Sequence, residues 1–219
     1  MGRVMKSVAF INPIFTQTYQ HYLNQLSSMV FDSAISERLG ITVISENNLR
    51  IKLFNECYDV SSQGIMDQNG KDVTFEKCVV LSRYVIHCQN EPVVQKDDWF
   101  SFKDFKDAGP LKVYFLNAVE LPISNHFSGS VNALKDRINA IGGIHPEIDL
   151  PYHLCLIVQA LPKIPLLVLF NDQDEEFPAT CKILFKKSAD TYLDAESLAI
   201  LAAIFSNMVC HNKLDHLKV

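Results

Sequence analysis

The sequence predicts an α+β domain in which a mostly antiparallel central sheet carries helices packed on it. Three observations support this. Apolar residues recur at helical spacing in well-separated stretches, a strand pair flanks Asn47-Asn48, and the C-terminal third passes through three apolar strand segments into an amphipathic helix. At 219 residues, 48% hydrophobic and 21% charged, the chain suits a single domain over residues 1–219 with ample material for a core.

The first element is predicted as one helix from about Pro13 to Leu39, with Phe15, Tyr19, Tyr22, Leu23, Leu26, Val30 and Ile35 on its apolar stripe. Pro13 suits a first turn and Gly40 a C-terminal cap. Segments 41–45 and 49–54 then form a hairpin around Asn47-Asn48, because Asn tolerates the positive φ of a tight turn. Leu49, Ile51 and Leu53 alternate with Arg50 and Lys52, the pattern of a strand with one buried face. Asp67-Gln68-Asn69-Gly70 is a turn, and Phe75 to Cys88 reads as a second amphipathic helix that ends before Pro92.

Trp99 to Phe102 is an aromatic strand or loop. Residues 112 to 141 are mostly helical, with an interruption expected near Pro122 and a stop at Gly142-Gly143. Strands at about 152–160, 164–170 and 180–187 follow. The continuous apolar run Ile164 to Phe170 suits a strand covered on both faces. Asp194 caps a final helix to about Val209. Leu166, Val168, Phe170, Ile183, Phe185, Leu198, Leu201 and Phe205 are expected to be buried together.

Composition narrows the partners. A net charge of −5 offers no general attraction to nucleic acid, and Lys103, Lys106 and Lys112 alternate with acidic residues as a solvated face does. The longest apolar window, 154–170, is broken by Gln159, Pro162, Lys163 and Pro165, short of the about 20 apolar residues a membrane helix needs. With no secretion signal legible, the expected location is the cytoplasm. The six cysteines include no C-x2-C pair and mostly sit in apolar surroundings, so reduced core thiols are expected.

Four blocks of sequence carry a resemblance. They are Val79-Val80-Leu81-Ser82-Arg83-Tyr84-Val85 with Trp99-Phe100-Ser101-Phe102-Lys103-Asp104-Phe105; the helix end Ile141-Gly142-Gly143; Leu161-Pro162-Lys163-Ile164-Pro165-Leu166 leading into Asp174 to Ala179; and Ile183-Leu184-Phe185 through Tyr192-Leu193. In order and spacing they resemble the bacterial and archaeal family DUF3786, a domain of unknown function, over about residues 15 to 210. The resemblance implies a setting in anaerobic corrinoid or one-carbon metabolism. It supplies no catalytic residues. Some similar proteins carry a cysteine-rich iron–sulfur segment, which this chain lacks, its first cysteine being Cys57.

Three constellations are candidates for chemistry. His145 and His153 bracket Glu147 and Asp149, a set of nitrogen and oxygen donors suited to a transition metal, or to an axial imidazole for a corrinoid, or to ordinary loop positions. The acidic turn Asp172, Asp174, Glu175 and Glu176 suits a hard cation or a solvated hairpin, or a carboxylate that ties the turn's own amides while Phe177 anchors it in the core. Trp99 and Phe102, with Phe100 and Phe105, would line an apolar ligand pocket with Arg83 and Tyr84 at its polar end, or else fasten a loop to the sheet. Nucleophilic and phosphate-binding motifs are not found: there is no G-x-S-x-G or G-x-G-x-x-G, and neighbours His87 and Cys88 diverge on a helix. The expected function is a non-catalytic module for a small ligand or cofactor, the cofactor unspecified. A metal-dependent enzyme and a partner-binding protein are the alternatives.

Overall fold

A computed structural model describes residues 12–87, 98–147 and 150–211. Helices α1 (Pro13–Ser27) and α2 (Ser33–Leu39) lead into strands β1 (Thr42–Ser45), β2 (Asn48–Leu53), β3 (Glu56–Ser61) and β4 (Gly64–Asp67). Helix α3 (Phe75–His87) and strand β5 (Trp99–Ser101) follow. A helical stretch then runs through α4 (Lys112–Phe115), a π turn (Leu116–Glu120) and α5 (Leu121–His126). It is followed by α6 (Val131–Ala140) and the strands β6 (Leu154–Leu161), β7 (Ile164–Asn171) and β8 (Thr180–Lys186). The short α7 (Ala189–Tyr192) and the long α8 (Ala195–His211) complete the order. The fold is α+β, with the strands in two antiparallel sheets ordered β1-β2-β3-β4 and β5-β8-β7-β6.

The expected helix from Pro13 to Leu39 is two helices. Asn12 caps the first, its side chain accepting from Ile14 N at 2.9 Å. The first ends where the hydroxyls of Ser27 and Ser28 both turn back onto Asn24 O, an alternative that short polar side chains offer the backbone. Asp32 then caps α2 by accepting from Ile35 N at 3.0 Å. Val30, counted on the apolar stripe, falls in the break and is 78% exposed. Gly40 ends α2 in the left-handed region at φ 66, where an added Cβ would also meet Pro162 at 3.1 Å.

The hairpin β1–β2 forms as its alternation predicts, with Leu49, Ile51 and Leu53 buried. Strands β3 and β4 complete the sheet, carrying Tyr58, Val60 and Ile65 inward. The Asp67–Gly70 turn is held by Asp67, which accepts from Asn69 N and Lys71 N at 2.8 Å each. In the second sheet β7 lies between β6 and β8 and is buried along most of its length, as its apolar run predicts. The eight residues expected to share the core, from Leu166 to Phe205, are all fully buried within one cluster.

Pro122 does not interrupt its helix. It lacks an N–H, and its ring would press on the carbonyl four residues back. The chain widens by one residue instead: Leu121 N reaches Leu116 O, five residues back, and the helix continues to His126. Ser206 on α8 donates to Val119 O at 3.2 Å inside the widened turn. Glu120, also in the turn, is buried yet paired with Lys182 Nζ at 2.7 Å, and it accepts from Ile183 N.

Two tyrosines act as internal pins. Tyr84 donates to Leu39 O at 2.7 Å and accepts from Lys163 N at 3.1 Å, fastening α3 to the end of α2 and to the β6–β7 turn. Tyr19 accepts from Ile65 N at 2.8 Å, fastening α1 to β4.

The two sheets are joined at Phe54. It opens the two-residue turn between β2 and β3, its N–H donates to Ala160 O at 2.7 Å, and its ring stacks on Phe205 of α8 at 6.0 Å. Its φ is 52, in the region that favours glycine. Phe54→Ala should lower the unfolding free energy by about 3–5 kcal/mol through the lost ring. Phe54→Gly should cost no more than Phe54→Ala, although glycine normally trails alanine by about 1 kcal/mol in regular structure, because only glycine adopts this φ without strain. Urea unfolding of both variants checks this, and a glycine variant clearly weaker than the alanine one would contradict it.

Candidate functional site

Among the described residues, much of the aromatic set packs against the core. Phe102 is buried and stacks on Phe115 with ring centres 4.2 Å apart, and Phe105 meets Phe185 edge-on at 5.9 Å. Trp99 lies half-buried on β5 with the Lys186 ammonium 4.3 Å over its ring. Arg83 is ion-paired with Asp194 and stands 3.4 Å from His87 Nδ1, while the Tyr84 hydroxyl is committed to Leu39 and Lys163. Burial would raise the Asp194 carboxyl, but the Ser197 amide and Arg83 hold it below the usual range. These residues fasten helices and loops to one another.

The acidic turn is tied to its own backbone, as one of the three readings has it. Asp174 accepts from Glu176 N and Phe177 N at 2.8 Å each, and those two amides hold its carboxyl low. Asp172 accepts from Gly129 N at 2.6 Å and from Gln173 N at 2.9 Å. Phe177 does not anchor the turn in the core. It is 65% exposed, and the amides tied to Asp174 fix the loop without it.

The fold brings His145, Glu147 and His153 to one open depression of about 390 Å3, beside Lys135 on α6 and Tyr152. Ile144, bridged to Ile157 on β6 by two hydrogen bonds of 2.9 and 2.8 Å, places His145 there. Asp149 lies outside the described residues, as do Cys88 and His216. His153 Nδ1 accepts from Asp172 N at 2.8 Å, so in the neutral ring Nε2 bears the proton and acts as a donor. Among the described residues no group of three His, Cys, Asp or Glu side chains converges as a metal-holding set.

A different place shows a built polar cluster. Strand β3, the 67–74 segment and the first turns of α3 enclose a depression of about 420 Å3. On its wall Lys77 Nζ donates to Glu56 Oε2 at 2.9 Å and also to the Tyr58 hydroxyl, which itself donates to Glu56. The Lys77 ammonium lies 5.0 Å over the Tyr58 ring. Alternation along β3 places Glu56 and Tyr58 on one face, and the β2–β3 turn fixes their register. Asn55 of that turn donates to Ala140 O at 3.5 Å.

The electrostatics follow from this geometry. Burial, then the hydrogen bond to Glu56, pushes the Tyr58 phenol far above its ordinary value, so it stays a donor. Burial would raise Glu56, but bonds from Tyr58 and Lys77 outweigh it and hold the carboxyl below the usual range. The Lys71 and Asn69 amides likewise hold Asp67 low. Asp72, exposed on the rim, makes no hydrogen bond or ion pair among the described residues. Nearby Cys78 is different in kind: burial pushes its thiol up to about 12, which marks it as structural.

None of these cluster residues stood out in the sequence. The signals available were the alternation of Tyr58 and Val60 with Asp59 and Ser61, which marks a strand, and Lys77 one turn into a helix.

The Glu56 titration tests the cluster. Its folded-state pKa lies below the unfolded one, so its stabilising contribution is complete above the unfolded value and is lost as pH falls through the folded value. Lys77→Met should move the Glu56 titration upward and narrow that acid-side loss. Side-chain carboxyl NMR across an acid titration reads the change, and an unmoved curve would show that Lys77 does not hold the carboxylate.

No membrane-crossing helix is present among the described residues, since none is long and apolar enough. Comparison with curated proteins and with solved structures returns no match to this chain. A family model does match, over residues 33–208, and it spans both sheets, helix α3 and most of α8. The polar cluster, the tied acidic turn and the Phe54 junction all fall inside that match, and the chain belongs to the family described as a domain of unknown function, DUF3786.

Proposed function

We propose that the chain is a non-catalytic binding module whose depression between β3, the 67–74 segment and α3 takes a small, donor-rich cation such as an amine. One observation carries the reading: a hydrogen-bonded Glu56–Tyr58–Lys77 cluster, built on a strand and a helix, forms the wall of an open depression that also holds Asp67 and Asp72. Sites on rigid elements hold their groups in place before the ligand arrives, which lowers the ordering cost of binding.

Charge selects the ligand class. Three carboxylates face one ammonium, and that ammonium is already shared between Glu56 and Tyr58. The depression is therefore net negative, and the carboxylate on Asp72 is open to a donor. An anion would meet repulsion from Asp67 and Asp72, whereas an ammonium would offset it. Binding rather than catalysis is supported by the proton inventory: Tyr58 keeps its proton, and the neighbouring Cys78 is buried and stays a thiol at neutral pH. The cytoplasmic location comes into this proposal from the sequence, and the anaerobic corrinoid or one-carbon setting only from the resemblance to the family; the chemistry of the depression supplies the ligand class.

Calorimetric titration with n-butylamine, and with butyrate as the anionic counterpart, tests the proposal. The amine should bind and butyrate should not. Asp72→Asn, on an exposed rim, should weaken the amine about tenfold or more, the loss expected for one hydrogen bond to a charged group. Preference for butyrate, or an Asp72→Asn variant that binds the amine as tightly as the parent, would refute it.

A further inference from the structure

The polar depression does not end at Lys77. Thr74 and Lys77 also line a second depression, of about 380 Å3, that reaches from the start of α3 to α8. Aliphatic side chains line part of it: Ile200, Ala203, Ile204 and Met208 of α8, all partly buried and packed on the core, with Tyr114 of α4 also in the lining and polar atoms from Thr74, Glu76 and Lys77. Asn207, exposed on α8, stands at its edge. The two depressions share Thr74 and Lys77, and the lysine's ammonium is held toward Glu56 and Tyr58, which leaves its aliphatic stem along their common border.

Resting on the reading of the polar depression as an amine site, we infer that the natural ligand is an amphipathic cation, with its charged head beside Asp67 and Asp72 and an apolar arm lying across Lys77 onto α8. Continuity fixes the occupant. A head group seated among Glu56, Asp67 and Asp72 lies beside a depression that shares Thr74 and Lys77 with its own, and an arm laid there removes apolar surface from water. The two depressions differ in the way such a ligand needs, carboxylates on one side and aliphatic side chains of α8, within a partly polar lining, on the other. The acidic half has its carboxylates on the 56–72 side, and the apolar half has its aliphatic side chains on α8. Glu76, on the rim of the second half, adds to the negative field that attracts a cation.

The test is the n-alkylamine series from n-butylamine to n-octylamine, titrated into the full chain and into Asn207→Trp, which places a large ring at the edge of the apolar half from an exposed helical position. In the parent, affinity should rise about two- to fourfold per added methylene, the upper figure being full burial of each group. In Asn207→Trp that increment should flatten while n-butylamine affinity stays as in the parent. Equal affinity for all chain lengths, with n-butylamine still dependent on Asp72, would overturn the apolar arm and leave the amine site standing. A chain-length increment unchanged by Asn207→Trp would place the arm elsewhere and overturn it too. If no amine binds at all, the amine reading fails, and the inference with it.

Discussion

Phe54 is the constraint on which the rest of this structure depends. A non-glycine residue at φ 52 costs of order 1 kcal/mol or more and persists only where its surroundings over-determine it. Here they do. The Phe54 N–H is committed to Ala160 of the other sheet, its ring is fully buried against Phe205 of α8, and Asn55 next to it reaches Ala140. One two-residue turn thereby links both sheets, α8 and the end of α6. The same turn sets the register of β3, and with it the side of the sheet on which Glu56 and Tyr58 appear. A site hung from that turn inherits the stiffness of the core.

The helical elements are positioned by a few polar contacts within otherwise apolar packing. Tyr84, Tyr19 and Ser206 each place a hydroxyl against a backbone group that a distant element presents, so each fixes a relative orientation as well as satisfying a buried partner. The π turn belongs to this group. It lets the chain carry Pro122 without breaking, and it turns Glu120 toward β8, where Lys182 and the Ile183 amide meet it. The floor of the second depression, on α8, is thus set by contacts on that helix's other face: Ser206 to the π turn and Phe205 to Phe54.

What was legible in the sequence was whatever a strong period announces. The β1–β2 hairpin and the stripe on α8 each bury one regular face, and β7 of the second sheet is apolar and buried almost throughout, so their side chains alone report the element. Strands β3 and β4 were not legible, because the polar residues Glu56, Asp59, Ser61 and Asp67 occupy positions that cap, pair or line the depression and thereby interrupt the apolar signal. The division of α1 from α2 was hidden for a related reason: Val30 falls on the helical stripe by spacing, while the serines and Asp32 that end one helix and start the next act through local hydrogen bonds that periodicity does not record. The candidate site combines both problems. Lys77, Tyr58 and Glu56 are ordinary residues at ordinary spacings, and only the antiparallel register and the packing of α3 beside β3 bring them together. Of the set that sequence reasoning singled out, His145, Glu147 and His153 line one depression, but His153 spends its Nδ1 on the Asp172 amide, a contact between segments 19 residues apart.

The most direct test of the account is amide chemical-shift mapping of isotope-labelled protein during titration with n-octylamine. The account predicts perturbed amides in two adjoining groups, one at residues 55–58 and 67–77 and the other at 200–208. Shifts concentrated instead around 131–135 and 145–155, beside His145 and His153, would contradict it and move the binding site to the other depression.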